Sequence, residues 1–300
     1  MFVEFSDILV RVSGPAVWSS PAMRLVHDAD TLAPLAGCIL VPTMGALHEG
    51  HASLVRRAAG RGAPVVVTVF VNPTQFAPHE DFARYPRTLD ADVEIARAAG
   101  ADAVFAPPPE AIYPRGLEAA RAEAAALALP DAATQPGLED AFRPGHYGGV
   151  CQVVARLFDL ARPARAIFGE KDWQQWRVLD GMVAADPARW PGLAMEVSPT
   201  VREPDGLAMS SRNRFLTADE RPRATAISRA LREAAAKPTP AAAEAHMHAV
   251  LEAAGLETQY AVVRDAEYLE APISGRPRRA LIAAKLGSVR LIDNAPWPAL

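Results

Sequence analysis

Two histidines lie three residues apart in the run Pro42-Thr43-Met44-Gly45-Ala46-Leu47-His48-Glu49-Gly50-His51. On the first turn of a helix that spacing puts both imidazoles on one face. Gly45 and Gly50 would let a ligand approach the backbone closely. The free N–H groups and positive dipole end of a following helix suit phosphate. A helical zinc site of the His-Glu-x-x-His kind needs histidines four apart, so metal is the poorer reading. Taken alone, the pair is also compatible with two surface histidines at an ordinary strand-to-helix turn.

Four further clusters could share the work. Phe168-Gly169-Glu170-Lys171-Asp172-Trp173-Gln174-Gln175 offers an ammonium to balance charge on a triphosphate and a carboxylate to accept ribose hydroxyl protons. Leu207-Ala208-Met209-Ser210-Ser211-Arg212-Asn213 sets two hydroxyls beside a guanidinium, a clamp suited to β- and γ-phosphates. In Phe70-Val71-Asn72-Pro73-Thr74-Gln75-Phe76 the amides both donate and accept, as a substrate bearing hydroxyl and carboxylate groups requires. Arg143-Pro144-Gly145-His146-Tyr147 adds a cation and an imidazole ahead of a helix. Each cluster is weak singly, since charged helix starts and polar loops are common. Their occurrence together in one chain is not.

The elements that must position these clusters alternate. Residues 38–42 and 64–71 are short apolar runs, the second apolar on both faces as a buried parallel strand is. Helical patterns cover 50–59, 90–99, 149–160 and 172–184, with strands at 103–106 and 165–168. This rhythm predicts an α/β fold with a Rossmann-like doubly wound parallel sheet, whose ligands bind at the carboxyl ends of the strands. Past about residue 192 the rhythm changes. A strand at 193–197 leads to a loop at 199–212 and helices near 219–236 and 241–254, separated by Lys237-Pro238-Thr239-Pro240. Strands at 259–264, 279–284 and 289–292 follow. The expected organisation is a domain of residues 1–198 and a smaller α+β C-terminal domain, 199–300, that carries the Met-Ser-Ser-Arg loop like a lid. The Ala-rich stretch 117–129 reads as a surface helix.

Half of the 300 residues are hydrophobic and 22% are charged, which suits a sizeable core. A formal net charge of −4 argues against nucleic acid as a partner. No apolar run of about 20 residues suggests a membrane span. Residues 1–11, with Glu4 and Asp7, do not read as a signal peptide. Cys38 and Cys151 are isolated and expected as buried reduced thiols, so the default compartment is the cytoplasm.

His-x-Gly-His at a strand-to-helix turn resembles the signature of the nucleotidyltransferase superfamily, which includes class I aminoacyl-tRNA synthetases. There both imidazoles donate hydrogen bonds to the α-phosphate and the leaving pyrophosphate. Met-Ser-Ser-Arg is similar to the Lys-Met-Ser-Lys-Ser loop of those synthetases. More specifically, PTMGALHEGH, VFVNPTQF, ARYPRT, FRPGHYGGV, FGEKDWQQ, PTVREPDGLAMSSRNRFL and VRLIDN follow the order of the pantoate–β-alanine ligases across residues 42–294. On these motifs the chain is identified as a member of that family.

The resemblance implies two steps: ATP and (R)-pantoate form pantoyl adenylate and pyrophosphate, then the amine of β-alanine attacks, giving pantothenate and AMP. Such chemistry needs positioning and stabilisation of phosphate charge, not a protein nucleophile. By the same resemblance His48 and His51 contact the phosphates, with His51 the proton donor. Met44 and Gly45 make backbone contacts near the reacting centre, within an ATP-binding turn that includes Ala46, Leu47, Glu49 and Gly50. Gln75 and Gln175 hold pantoate, with Asn72, Arg143 and His146 further back in the substrate pocket. Gly169 and Asp172 bind ribose and Lys171 the phosphates, Glu170 lying in the same stretch. Val201 and Met209 flank adenine, while Ser210, Ser211 and Arg212 close over the β- and γ-phosphates. Mg²⁺ travels with ATP on phosphate oxygens, with no protein ligand named. The family also implies a homodimer and no nucleic-acid or membrane partner.

The chain departs from the family pattern in places. Tyr147, Gln152 and Arg156 stand where Phe, Thr and Lys are usual, and Asp140 takes the place of a glycine. Residues 115–140 are Ala-rich where Val and Thr of strand type are expected, which puts the local structure and any subunit contact there in question. Two other readings are weighed. An adenylyltransferase acting on a phosphorylated precursor would favour a cationic acceptor pocket over paired glutamines. A catalytically silent nucleotide-binding or RNA-associated relative is opposed by intact His48, His51, Lys171 and Arg212 and by the negative net charge.

Overall fold

A computed structural model of the chain describes residues 23–78 and 80–298, so the reading of residues 1–11 lies outside the described residues. Six short strands make one parallel sheet: β1 (Arg24–Val26), β2 (Ile39–Val41), β3 (Val65–Thr68), β4 (Ala103–Phe105), β5 (Arg165–Gly169) and β6 (Ala194–Ser198). The central strands β2, β3 and β4 are apolar on both faces because both are covered. Val65, Val66 and Val67 are at most 1% exposed, each such burial contributing about 1.5–3 kcal/mol.

One face packs on α2 (Glu49–Ala58) and α3 (Leu89–Ala98) through Leu54, Val55 and Ala96. The other carries α1 (Ala29–Leu32), α4 (Pro109–Ile112), α5 (Gly116–Ala126), α7 (His146–Ala161) and α8 (Trp173–Ala185), around Phe158 and Leu179. A single turn, α6 (Glu139–Phe142), leads into α7. The order β1-β4-β3-β2-β5-β6 reverses between β2 and β5. Pairing between those two strands stops at Leu40–Ala166, and their carboxyl ends part there. That is the switch point at which such sheets bind ligands.

The last third is an antiparallel sheet, β7 (Glu257–Asp265), β8 (Arg278–Leu286) and β9 (Val289–Trp297), preceded by α9 (Glu220–Arg223), α10 (Ala226–Ala234) and α11 (Pro240–Ala253). Helices α10 and α11 pack on it through Ile227, Leu231, Met247 and Leu251. The stretch 219–236, expected as one helix, is two. Pro222 lacks an N–H for the helical ladder, and Thr225 Oγ1 donates to the Pro222 carbonyl at 2.7 Å. Leu138, Tyr260, Leu269, Leu281 and Ala283, with Trp173 against them, join this sheet to the first.

The Ala-rich stretch is helical as expected, but α5 is no mere surface helix. Its Ala120 and Ala124 are buried against α7. A Cβ on Gly148 would come within 2.4 Å of the Ala124 carbonyl oxygen, so only glycine permits this approach. Three of the departures from the family pattern are put to use here. Gln152 Nε2 donates to Ala120 O at 2.8 Å, and Arg156 donates twice to Ala111 O at 3.2 and 3.1 Å. The Asp140 carboxylate accepts from the N–H groups of Gly137 and Leu138 and from Gln174 Nε2 at 2.9–3.0 Å.

Cys38 and Cys151 are buried free thiols, and burial pushes both up to about 12. Among the described residues no helix is long and apolar enough to cross a membrane.

Candidate active site

A cleft of about 680 Å³ opens at the switch point, lined by the ends of β2 and β5, by α7 and α8, by the loop at 199–213 and by β9. Its size suits a nucleotide together with a small acid.

The two histidines are placed by the helix start itself. His48 is the N-cap of α2, and its Nδ1 accepts from Gly50 N at 3.1 Å. His51 Nδ1 in turn accepts from His48 N at 3.3 Å. This is the reciprocal logic of a capping box, run with two imidazoles. The rings lie 4.1 Å apart, centroid to centroid. Burial, and then the Lys171 charge, lowers His48 to about 4. Burial, then His48 and Lys171, lowers His51 to about 3. Both rings are therefore neutral near pH 7. Since each Nδ1 is an acceptor, each proton sits on Nε2. Two N–H donors result, on rings that line the cleft. Gly50 is required because a Cβ there would stand 2.8 Å from His48 Cε1.

The loop before α2 is held from a distance. The buried Asp92 carboxylate on α3 accepts from Ala46 N at 3.1 Å and Leu47 N at 2.7 Å. Ala46 has a φ of 50° and Gly45 one of 85°. A Cβ on Gly45 would meet both Asp92 Oδ2 and Val69 at 2.9 Å.

Across the cleft, the turn Gly169 to Asp172 ends β5 and presents Lys171, whose Nζ lies 3.5 Å from Asp172 Oδ1. The second sheet fixes this turn. Asn294 Nδ2 on β9 donates to the carbonyls of Glu170 and Lys171 at 3.0 and 2.8 Å. Arg279 on β8 pairs with Glu170 at 2.7 Å and lies over the Trp173 ring. Val201 and Met209 are joined by a backbone hydrogen bond of 3.0 Å. Their loop is pinned to β9 by the two-point ion pair Arg202–Asp293. Ser210 Oγ accepts from Arg212 N, and Arg212 pairs with Asp81 at 2.8 and 2.9 Å.

Elsewhere in the cleft, Gln75 Nε2 contacts Met44 Sδ at 3.3 Å and its Oε1 accepts from Asn72. Asn72 is buried, also bonding Gly149 O, Thr74 and Tyr113, so it shapes the pocket wall. Gly149 packs against this turn so tightly that a Cβ would lie 2.5 Å from the Thr74 carbonyl. His146 Nδ1 donates to Gln75 O at 2.9 Å, and burial, then Arg143, lowers the ring to about 4. The Arg143 donors are taken by Glu80 and His146, at 2.6–3.0 Å. Gln175 lines the cleft, and its side chain makes no hydrogen bond among the described residues.

The structure thus brings most of the residues anticipated from sequence to one cleft, with Asn72, Arg143 and His146 engaged within the protein. Gly45, Ala46 and Leu47 are buried behind it, Glu49 is turned to Arg56 and Glu170 to Arg279, so these five do not line it. Residues not anticipated are Asp92, Asp81, Glu80 and Glu139, the last buried and bonded to Arg290 and Tyr260 at 2.6–2.8 Å. Burial alone would raise Glu139, but Arg290 outweighs it and holds the carboxyl at about 2. Asp81 and Glu80 stand close before the ARYPRT motif, which is a usable signal. Nothing in the sequence near Asp92 marks it.

A Rossmann-like sheet with paired imidazole donors and a lysine at its switch point defines a nucleotide-binding α/β enzyme. The family model described as pantoate-beta-alanine ligase matches residues 23–296. Pantothenate synthetase 2 of Bradyrhizobium diazoefficiens is 48% identical over 283 residues, covering 91% of this chain and 95% of the relative. The pantothenate synthetase structure from Thermus thermophilus is 39% identical with a TM-score of 0.80, covering 92% of this chain and all of that one. The pantoate-beta-alanine ligase structure from Francisella tularensis, complexed with "beta-gamma ATP" and β-alanine, is 30% identical with a TM-score of 0.73, covering 92% and 98%. The chain belongs to the pantoate–β-alanine ligase family.

Proposed function

We propose that the chain joins (R)-pantoate to β-alanine with ATP as the activating substrate, through a pantoyl adenylate. The observation that carries the residue-level reading is the pair of Nε2–H donors created by the His48–His51 cap. Neutral, preorganised donors stabilise charge as it moves onto the leaving pyrophosphate without reorganisation during the step. In this reading His51 and His48 serve the α-phosphate and the pyrophosphate, and Lys171 the triphosphate. Gly169 and Asp172 take the ribose, and Val201 and Met209 flank adenine. Gln75 and Gln175 hold the hydroxyls and carboxylate of pantoate. Phe70, Val150 and Val154 line the same cleft and offer an apolar wall to its dimethyl carbon. The carboxylate oxygen attacks the α-phosphorus as the bond to pyrophosphate breaks. The β-alanine amine then attacks the acyl carbon, and AMP departs.

Among the described residues no group of three or more His, Cys, Asp or Glu is placed to hold a metal ion. In this reading a magnesium ion travels on ATP oxygens, where it neutralises phosphate charge. Residues 199–300 act as a lid over residues 1–198, excluding water from a hydrolysable adenylate. A homodimer in the cytoplasm completes the proposal. ATP–pyrophosphate exchange with and without (R)-pantoate, followed by AMP release on adding β-alanine, tests it. Exchange dependent on pantoate and AMP release dependent on β-alanine are expected. Exchange indifferent to pantoate would overturn the reading.

A further inference from the structure

Arg212 is committed to a carboxylate inside the protein. Its Nε and Nη2 donate to Asp81 Oδ2 and Oδ1 at 2.8 and 2.9 Å. A guanidinium grips a phosphate with the same two-point fork. Three more contacts tie the segment bearing Asp81 to the segment bearing Arg212. Tyr85 Oη and Ser211 Oγ are 3.3 Å apart, the Arg212 guanidinium lies over the Tyr85 ring, and Arg84 lies over Phe215. Asp81, Tyr85, Ser211 and Arg212 all line the cleft. The Arg212 and Asp81 side chains keep 28% and 25% of their surface exposed, so a ligand in the cleft can reach the pair.

Resting on the ligase reading, we infer that the Asp81 carboxylate is a stand-in for phosphate. It holds Arg212 over the cleft, yields it to the β- or γ-phosphate of ATP, and takes it back as pyrophosphate leaves. The physical basis is competition. Two anions cannot occupy one fork, and every phosphate that binds must first displace the resident carboxylate. Burial alone would raise the Asp81 carboxyl, but the Arg212 hydrogen bonds outweigh it and keep it below the usual carboxylate range, so the competitor stays charged at neutral pH. Once displaced, the carboxylate sits beside a pyrophosphate of the same sign and favours its departure. Asp81 is thus a positioning residue that weakens phosphate binding in order to hasten product release.

The test is Asp81→Asn, which keeps the shape and removes the charge, with Asp81→Glu as the charge-preserving variant. Calorimetric binding of pyrophosphate, a non-hydrolysable ATP analogue and AMP is measured without pantoate. Pyrophosphate and the analogue should bind about three- to tenfold more tightly to Asp81→Asn, the range set by a partly exposed ion pair with two-point geometry. AMP, which lacks the β- and γ-phosphates, should be unchanged. Asp81→Glu should fall between wild type and Asp81→Asn. In steady state, Asp81→Asn should show a lower KM for ATP, stronger inhibition by pyrophosphate and an unaltered KM for pantoate. Unchanged or weaker pyrophosphate binding would overturn the inference, as would an equal gain in AMP affinity. Because the binding measurements omit pantoate, they report on Asp81 even if pantoate-dependent exchange fails and the ligase reading falls with it.

Discussion

Gln174 and Gln175 are consecutive on α8 and are used in opposite ways. Gln174 donates to Ala132 O and Asp140 Oδ1 and accepts from Glu139 N, at 2.9–3.0 Å. Gln175 turns its amide to the cleft, and its side chain bonds nothing among the described residues. Gln174→Ala should therefore cost about 1–3 kcal/mol of stability, the penalty for stranding buried polar partners. Gln175→Ala should leave the melting temperature unchanged and raise the KM for pantoate by about tenfold or more. Thermal melts and pantoate titrations of the two variants, side by side, check the division of labour.

The cap at α2 lets the structural part played by His51 be tested apart from the chemical role proposed for it. Asparagine places Oδ1 near the position of Nδ1, so His51→Asn can still accept from His48 N, but it has no counterpart to Nε2–H. Its exchange activity should fall by about a hundredfold or more, with stability retained. His51→Ala should lose the same activity and also about 1 kcal/mol of stability. Equal turnover in wild type and His51→Asn would remove His51 from the chemistry.

Gly50→Ala tests whether the glycine serves the ring beside it. An alanine in a helix is favoured over glycine by up to about 1 kcal/mol, so the fold should not suffer. The added methyl would nevertheless meet the His48 ring at 2.8–2.9 Å and push it off its cap. ATP affinity should drop by about tenfold, the cost of one misplaced charge-assisted hydrogen bond, while denaturant midpoints stay level, the helix propensity gained offsetting the cap lost.

Acid should unfold the chain by way of its histidines. His48, His51 and His146 sit at about 4, 3 and 4 in the fold, against an ordinary value near 6.5. Above pH 6.5 the rings are neutral in both folded and unfolded chains, and they impose no penalty. Below it the unfolded chain takes up protons that the fold refuses, so stability falls as pH drops from 6.5 towards 4. Each ring contributes up to about 1.4 kcal/mol per pH unit over that window. Glu139, held at about 2, extends the loss at still lower pH. Melting temperatures between pH 7.5 and 4.5 should decline, with a shallower slope in His146→Asn.

Long apolar runs and their turns make the first sheet readable, because β3 is buried on both faces and its valines have no other use. β1 is not legible in this way. It is three residues long at a sheet edge, with Leu25 43% exposed, and carries no pattern that distinguishes it from a loop. Residues 257–265 and 289–297 pair further than their composition suggests, since an antiparallel ladder tolerates polar residues on its open face. In the site, His48, His51, Lys171 and Gln175 are legible because their chemistry is local to a motif. Asp92 is not, because its meaning lies in the Ala46 and Leu47 amides some forty-five residues upstream. Arg143 and Asn72 show the converse: a polar residue lining the cleft can be engaged by the protein itself.

The bond from Gln152 to Ala120 O has a consequence for how this chain can be re-engineered. A threonine at 152 is too short to reach that carbonyl, and a glutamine there without α5 would have no acceptor. The same mutual dependence links Asp140 to Gln174. A chimera that imports residues 115–140 from a relative must bring the facing positions of α7 and α8 with it. Exchanged together with those positions the segment is a cassette; exchanged alone it strands Gln152 and Gln174, the first on the helix that packs against the turn bearing Gln75.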